Sequence, residues 1–439
     1  MRASAAQADR SEGAFPASTP PIELATLHAL TWLTAACGVG FLMSVLLLVP
    51  GLAPGPLTFG RWAPLHLDLV LYGWLSLPLV GLLFRAYLPR EGGGVARAAG
   101  WAVQAWSASL IVGAVSWLAG RTSGKLFLDW EGIARAAFLA NLLFLAGVLA
   151  AGLILRRREG ISRPALAGLA GLWLGLLMVP ASMGIATSPA TYPPINPETG
   201  GPTGASLLGS TLCVIVIFVA TPLLLGLSGR PDGGNRRGVV EAFGALAVHS
   251  LFFAVVLAVA QGDHSHRESL QIAAVASLLV WAWLLPRWLR RFEWPAGSRP
   301  WLLAFLAWGG ALLATAVPMF LPGWLDRIKF TNALVGHSHL AMAGMTTAFA
   351  ALLLAVLNQG TRLRGALADR TAFLLWNAGN AVQVLAMAAA GALEAADPGV
   401  AFRGEPSILV LYGVRTLAGA AMLAAAVRWT ARAAARWAD

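Results

Sequence analysis

The sequence predicts an all-α, polytopic membrane protein, and three observations lead to that prediction. Of its 439 residues, 58% are hydrophobic and only 12% are charged, whereas a typical soluble domain is about half apolar and about a quarter charged. The mean hydropathy is +0.70. Apolar stretches also recur along the whole chain, and each is long enough to cross a hydrocarbon layer of about 30 Å as a helix.

These stretches define twelve predicted transmembrane helices. They form one expected membrane domain over residues 21–439, preceded by a polar tail over residues 1–20 that is rich in Ala, Ser and Pro and is expected to be disordered. The predicted spans are residues 24–49, 62–88, 98–119, 130–155, 164–187, 205–228, 238–261, 269–289, 300–321, 330–357, 371–394 and 406–430.

The charge distribution predicts the orientation of the chain. The net charge is +11, and the arginines are concentrated in alternate loops, for example at Arg156, Arg157 and Arg158. Because such loops usually remain in the cytoplasm, we expect a bacterial inner-membrane protein, surrounded by lipid, with both termini cytoplasmic. This asymmetry accounts for the basic charge, so no nucleic-acid-binding face is expected.

The tenth predicted span contains a His-x-His motif, Val335-Gly336-His337-Ser338-His339-Leu340. Ionisable residues inside a membrane helix usually mark a site. Residues two apart on an α-helix lie about 200° around its axis, so His337 and His339 point to nearly opposite sides at similar depth. Two flat cofactors flanking one helix could use both imidazoles, and this geometry favours haem.

A further histidine, His66, lies near the beginning of the second predicted span. A low-spin haem needs two axial imidazoles, which His66 and His339 would supply from facing helices. His337 would hold a second haem by one axial bond and leave its far face open, which permits ligand binding. The alternative is that these residues are hydrogen-bonded core histidines or a proton relay.

Three segments of the chain resemble a known family. They are Phe59-Gly60-Arg61-Trp62-Ala63-Pro64-Leu65-His66, Phe330-Thr331-Asn332-Ala333-Leu334-Val335-Gly336-His337-Ser338-His339 and Tyr412-Gly413-Val414-Arg415-Thr416-Leu417-Ala418-Gly419. In these segments the chain resembles subunit I of the haem-copper oxidase superfamily, most closely the cbb-type cytochrome c oxidases and the nitric oxide reductases.

The resemblance implies a twelve-helix bundle that binds two haems b. It assigns His66 and His339 to the low-spin haem and His337 to the high-spin haem. Electrons would come from a cytochrome c subunit or a periplasmic cytochrome c, because this chain has no Cys-x-x-Cys-His motif of its own. Reduction of O2 or NO would be the corresponding activity.

The sequence departs from the family at the second metal, copper or non-haem iron. The family supplies one histidine from its sixth helix and an adjacent pair after its seventh. Here Ser210 stands at the first position, and the chain reads Gly262-Asp263-His264-Ser265-His266 at the second. His264 and His266 are the remaining candidate ligands of that metal.

Other polar residues fall within or beside the predicted spans. Asp68 is interpreted either as a proton-relay acid or as the partner of an arginine. Arg415, in the last span, would contact a haem propionate or form an ion pair. Asp129 and Glu131 are expected to be solvated.

Three functional hypotheses follow from the sequence. The first is a terminal reductase of O2 or NO with an altered second-metal site. The second is a non-catalytic haem relay or gas sensor that lacks the copper site. The third is a twelve-span, proton-coupled secondary transporter whose histidines carry protons.

Overall fold

The computed structural model describes residues 20–89, 93–191, 193–194, 207–230, 235–259, 269–321 and 323–438. Over these residues the secondary structure consists of helices, with no strand longer than a single bridge between Gly229 and Phe292. The prediction of an all-α fold is therefore confirmed. The greater part of the predicted polar tail, residues 1–19, lies outside the described residues.

The predicted spans correspond to helices whose ends differ from the predictions by a few residues. Alanine and leucine, which favour helices, dominate them. We number them α1 (Pro20–Leu48), α2 (Phe59–Tyr87), α3 (Gly93–Leu118), α4 (Gly132–Arg158), α5 (Arg163–Ala186), α6 (Leu207–Leu225), α7 (Asn235–Val259), α8 (Ser269–Ser277, Leu278–Val280 and Trp281–Leu289), α9 (Arg299–Met319), α10 (Asn332–Leu357), α11 (Arg370–Ala396) and α12 (Pro406–Ala438).

Among the described residues, eleven helices are long and apolar enough to cross a membrane. This composition is that of a multi-pass membrane protein. The predicted sixth span corresponds to α6, and its segment Gly209–Leu225 is one of the shorter apolar helices.

The chain groups into two compact units. Unit 1 comprises Met1–Tyr192, Ala350–Trp376 and Ala420–Asp439, and unit 2 comprises Pro193–Phe349 and Asn377–Gly419. Helices α1 to α5 therefore belong to unit 1 and α6 to α9 to unit 2, while α10, α11 and α12 contribute residues to both. That residues 21–439 act as a single domain stays a prediction.

An aromatic cluster forms part of the core of unit 1. The rings of Trp130 and Phe138 stack with their centroids 4.2 Å apart, and Tyr72 packs edge-on against both. The Trp106 indole donates to the Tyr72 carbonyl oxygen at 2.8 Å. Such contacts bury large apolar areas, and they fix α2 against α3 and α4.

Unit 2 has its own apolar core around α6, α9 and α10. The ring of Phe218 packs edge-on against Phe305 and Phe349, with centroid distances of 4.8 and 4.6 Å. The Trp288 indole on α8 donates to the Val219 carbonyl oxygen on α6 at 3.0 Å. These contacts bring α6, α8, α9 and α10 together.

Helices α2 and α10 each contain a π-helical turn, Leu69–Leu75 and Leu340–Thr346. Side-chain hydroxyl groups satisfy carbonyl oxygens in both turns: Ser76 donates to Leu71, and Thr347 donates to Met342, each at 2.8 Å. Short π turns inside α-helices often accompany functional sites.

Candidate functional site

His66 lies in the first α-helical segment of α2, Phe59–Asp68, and contacts α1. Its Nδ1 donates to the Ala36 carbonyl oxygen at 2.9 Å, because a carbonyl oxygen can only accept. The ring also lies against Gly40, where a Cβ atom would stand 2.7 Å from the His66 Cε1. Helix α1 therefore fixes both the orientation of the ring and the tautomer that carries its lone pair on Nε2.

His337 has an equivalent anchor on α9. The Thr315 hydroxyl lies 2.9 Å from His337 Nδ1, and it also lies 3.0 Å from the Leu312 carbonyl oxygen of its own helix. This hydrogen bond orients the His337 ring. Metal-ligating histidines are usually oriented by a hydrogen bond of their other ring nitrogen.

His339 donates from Nδ1 to the Val335 carbonyl oxygen of its own helix at 2.9 Å. His66 and His339 therefore both donate from Nδ1 to a backbone carbonyl oxygen. His337 and His339 lie in the regular α-helical part of α10, Asn332–His339, where residues two apart face different sides.

His249, on α7, differs from the three candidate ligands. Its Nδ1 lies 2.9 Å from the Ala245 carbonyl oxygen and its Nε2 lies 3.3 Å from that of Ser277. Both ring nitrogens face acceptors, so His249 joins α7 to α8 as a structural residue.

A polar network fixes the beginning of α10. The Glu394 carboxylate on α11 accepts from the backbone N–H and the side-chain amide of Asn332, at 2.6 and 2.5 Å. The Tyr412 hydroxyl on α12 donates to the same carboxylate at 3.1 Å. A carboxylate at a helix N-terminus is favourable because it satisfies free N–H groups and interacts with the helix dipole.

Arg415, also on α12, belongs to this network. Its Nη1 donates to the Asn332 side-chain oxygen at 2.8 Å, and the Glu394 carboxylate interacts with it electrostatically. The structure therefore gives Arg415 partners within the protein, Asn332 and Glu394. A propionate contact stays a prediction.

The structure assigns the candidate ligands to both units. His66 belongs to unit 1, whereas His337, His339 and Arg415 belong to unit 2. The pairing of His66 with His339 on one haem stays a prediction.

The predicted second-metal ligands His264 and His266 lie outside the described residues. Elsewhere in the described part of the chain, no group of three or more His, Cys, Asp or Glu side chains could hold a metal ion. Ser210 lies on α6, in agreement with the predicted position of the sixth span. The second metal therefore stays a prediction.

Asp68 is fully buried on α2 and forms no ion pair in the part of the chain that the structure describes. Asp129, in the loop between α3 and α4, interacts with it through its backbone N–H and through its charge. The expectation that Asp129 is solvated is wrong: it is 3% exposed, and burial raises its pKa to about 7.

Sequence reasoning missed the residues that hold the histidines in place. Thr315, Glu394 and the carbonyl oxygen of Ala36 supply these contacts. Glu394 could have been noticed as an acidic residue near the end of an apolar span, but backbone carbonyl partners leave no signal in the sequence.

Comparison with known proteins adds no identification: no family model matches the chain, and no curated protein matches it.

Proposed function

We propose that this chain is a haem b-binding membrane subunit that transfers electrons from a cytochrome c partner. The resemblance assigns His66 and His339 to a low-spin haem and His337 to a high-spin haem. The observation that carries the proposal is that an oxygen atom 2.9 Å from Nδ1 orients the ring of each histidine: the Ala36 carbonyl oxygen for His66, the Val335 carbonyl oxygen for His339 and the Thr315 hydroxyl for His337. Bound haem would supply the redox chemistry.

The protein's own contribution is to hold and orient the rings. Helix α1 contacts His66 through Ala36 and Gly40, and α9 contacts His337 through Thr315. Hydrogen bonds of this kind raise the basicity of a ligating imidazole and fix its rotation. The network around Glu394 holds the first turn of α10 against α11, so His337 and His339 are carried by a firmly positioned helix.

The proposal extends to the topology, the location and the activity of the protein. The chain would be a twelve-span protein of a bacterial inner membrane with cytoplasmic termini, and it would resemble the oxidase bundle. Reduction of O2 or NO would follow if His264 and His266 retain copper or non-haem iron.

A second candidate is a haem relay or gas-binding protein without the second metal. One observation favours it: α6, which corresponds to the predicted sixth span, contains no histidine and has Ser210 at the position that the resemblance assigns to a metal ligand. A relay needs the haems but not that metal.

The test is an absorption spectrum and a pyridine haemochrome assay of protein purified from cells well supplied with haem. We expect haem b with a low-spin bis-imidazole spectrum that His66→Ala abolishes, while a carbon-monoxide-binding species remains. His249→Gln is the matched control, because both ring nitrogens of His249 face carbonyl oxygens, and its spectrum should equal that of the unmodified protein.

Each outcome of this test separates the hypotheses. Colourless protein overturns the proposal and favours the proton-coupled transporter. Haem with stoichiometric copper or non-haem iron supports the reductase, whereas haem without either metal supports the relay. Low-spin bands that persist in His66→Ala would show that this ligand is wrongly assigned.

A further inference from the structure

An arginine-rich surface lies in unit 1, where residues 361–370, between α10 and α11, meet the last turns of α12, residues 428–438. We call these two segments the basic surface. They contain six arginines and one acidic residue, Asp369. Glu23 of α1 also contacts the surface, and Asp439 follows it in the sequence. The arginines outnumber these carboxylates, so the surface has a net positive charge.

Three of the arginines form a row along α12. Arg428, Arg432 and Arg436 are four residues apart, and residues at this spacing lie on one face of a helix. Arg428 Nη2 and Arg432 Nη1 both contact Oδ2 of Asp369, at 2.8 and 3.2 Å. The other oxygen of this carboxylate accepts from the Ala372 backbone N–H at 3.1 Å. One carboxylate therefore holds two guanidinium groups in place without neutralising both.

The segment between α10 and α11 adds two arginines beside this row. Arg362 Nη1 donates to the Trp437 carbonyl oxygen at 3.3 Å, and the Arg362 Cζ lies 4.6 Å from the centroid of the Trp437 ring. Arg436 donates to the Arg364 carbonyl oxygen, and a Cβ atom at Gly365 would stand 3.7 Å from the Arg436 Nη2. The two segments of the basic surface are therefore in direct contact, and their positive groups lie close together.

The basic surface lies beyond the apolar part of α12. About 20 residues of helix cross the hydrocarbon layer, whereas α12 has 33 residues, and its apolar part ends before Arg428. The arginines therefore lie at the level of the lipid headgroups, where tryptophan side chains such as Trp437 are also enriched. The side chains of Arg362 and Arg428 are 53% and 50% exposed, so a headgroup has access to them.

We propose that the basic surface binds the phosphate group of an anionic phospholipid. Clusters of roughly four to eight basic residues beside a membrane helix attract anionic lipids, and a guanidinium group can bind a phosphate through two parallel hydrogen bonds. Membrane topology alone favours arginines outside a span, but it does not require that arginines from two distant segments converge. The lipid site involves none of the candidate haem ligands and does not depend on the proposed haem function.

The first test uses the unmodified full chain in detergent and phosphatidylglycerol that carries a photoreactive diazirine in its headgroup. We expect cross-links to residues 361–370 and 428–438, at a higher yield than to the peptide that contains Arg156, Arg157 and Arg158. These three arginines end α4 and provide a basic run at another apolar helix. Equal yields at the two places, or cross-links mainly at the end of α4, would overturn the proposal.

The second test measures affinity with a double variant, Arg364→Gln with Arg436→Gln. These changes leave the contacts of Asp369 with Arg428 and Arg432 in place. Binding of phosphatidylglycerol is followed by native mass spectrometry. We expect the loss of two positive charges to weaken binding by about tenfold or more, and unchanged binding would overturn the proposal.

The matched control is Arg157→Gln with Arg158→Gln, which removes the same charge from the end of α4 and should leave the affinity for phosphatidylglycerol unchanged. Equal losses in the two double variants would show general electrostatic attraction and overturn the site. The unmodified protein should bind zwitterionic phosphatidylcholine more weakly than phosphatidylglycerol, and equal binding of the two lipids would contradict the proposal. Displacement of phosphatidylglycerol by the same concentration of inorganic phosphate would show that the surface holds free phosphate and not lipid.

Discussion

Two regions of the molecule share a local arrangement. The first comprises α1, α2 and α3 of unit 1, and the second comprises the parts of α9, α10 and α11 that belong to unit 2. In each, a tryptophan from the first helix lies against a glycine in the π turn of the second: Trp32 against Gly73, and Trp308 against Gly344. Each indole also donates to a polar side chain on the third helix, Ser107 at 2.9 Å and Asn377 at 2.8 Å.

The histidines occupy matching positions in these regions. His66 precedes Gly73 by the same number of residues as His337 precedes Gly344, and the first helix of each region anchors the ring through Nδ1. The regions differ two residues further on, where the first has Asp68 and the second has His339. The same backbone arrangement thus presents one imidazole in unit 1 and two in unit 2.

The largest expected effect comes from making the second region resemble the first. His339→Asp places a carboxyl group at the position that matches Asp68, and we expect the low-spin bis-imidazole spectrum to disappear because one axial ligand is lost. The carbon-monoxide-binding haem proposed for His337 should remain. The measurement is the absorption spectrum with and without carbon monoxide, and an unchanged low-spin band would contradict the assignment of His339.

The groups that orient His66 and His337 differ, because one is a backbone carbonyl oxygen and the other is a side-chain hydroxyl group. Thr315→Val removes the hydroxyl group that is hydrogen-bonded to His337 Nδ1 and preserves the shape of the side chain, whereas the Ala36 carbonyl oxygen that holds His66 belongs to the backbone. Loss of a partner of this kind typically lowers metal affinity by about tenfold or more. If His337 binds haem as proposed, we therefore expect weaker retention of that haem, measured by haem content after dialysis.

The matched control for this substitution is Thr34→Val on α1. The Thr34 hydroxyl lies 2.8 Å from the hydroxyl of Thr430 on α12, so the same change of side chain removes a contact between two helices of unit 1. Haem retention in this variant should equal that of the unmodified protein. Equal losses of haem in Thr34→Val and Thr315→Val would contradict the role of Thr315 as an anchor of His337.

Alanine substitutions at Gly73 and Gly344 test whether the contact between glycine and tryptophan stabilises each region. A Cβ atom at Gly73 would stand 2.5 Å from the Trp32 Cβ, and at Gly344 it would stand 2.9 Å from the Trp308 ring. Overpacking of this kind costs about 1–3 kcal/mol. We expect thermal unfolding to show a larger loss for Gly73→Ala than for Gly344→Ala, because the Trp32 Cβ is nearer the backbone and moves less easily.

The control for these substitutions is Gly38→Ala on α1, where a Cβ atom would meet nothing within 4 Å. This variant should be as stable as the unmodified protein or slightly more stable, since alanine favours a helix over glycine by about 1 kcal/mol. Equal losses at Gly38 and Gly73 would contradict the steric explanation.

The smallest expected effect concerns Asp129, in the loop that follows α3. Burial raises the pKa of Asp129 to about 7 from its usual value of 3.8, so the folded state holds this proton more tightly than the unfolded chain. Its contribution to stability is therefore present at low pH and is lost as pH rises between these two values. Asp129→Asn should reduce the fall in unfolding temperature between about pH 4 and about pH 7.

A matched control for this measurement is Asp397→Asn. Asp397 is exposed and pairs with Arg403, and the hydrogen bond from Arg403 lowers its pKa. Its contribution would therefore be lost at more acidic pH, below about pH 4. An identical pH dependence in Asp129→Asn and the unmodified protein would show that burial of Asp129 has little effect on stability.

The sequence by itself determined the all-α class, the positions of the helices and the three histidines proposed as ligands. These depend on the length of apolar stretches and on costly polar residues inside them, both of which can be read from local composition. The predicted ends of α2 and α10 differ from the structure by a few residues, because hydropathy changes gradually where a helix ends.

Only the tertiary structure decided which groups hold those histidines and which polar residues are buried. The Nδ1 partners of His66 and His337 lie on neighbouring helices, Asp129 is covered although it lies in a loop, and Asn380 faces a glycine of another helix. Contacts between distant residues, and above all with backbone carbonyl oxygens, depend on how helices pack, and composition along one helix does not encode that packing.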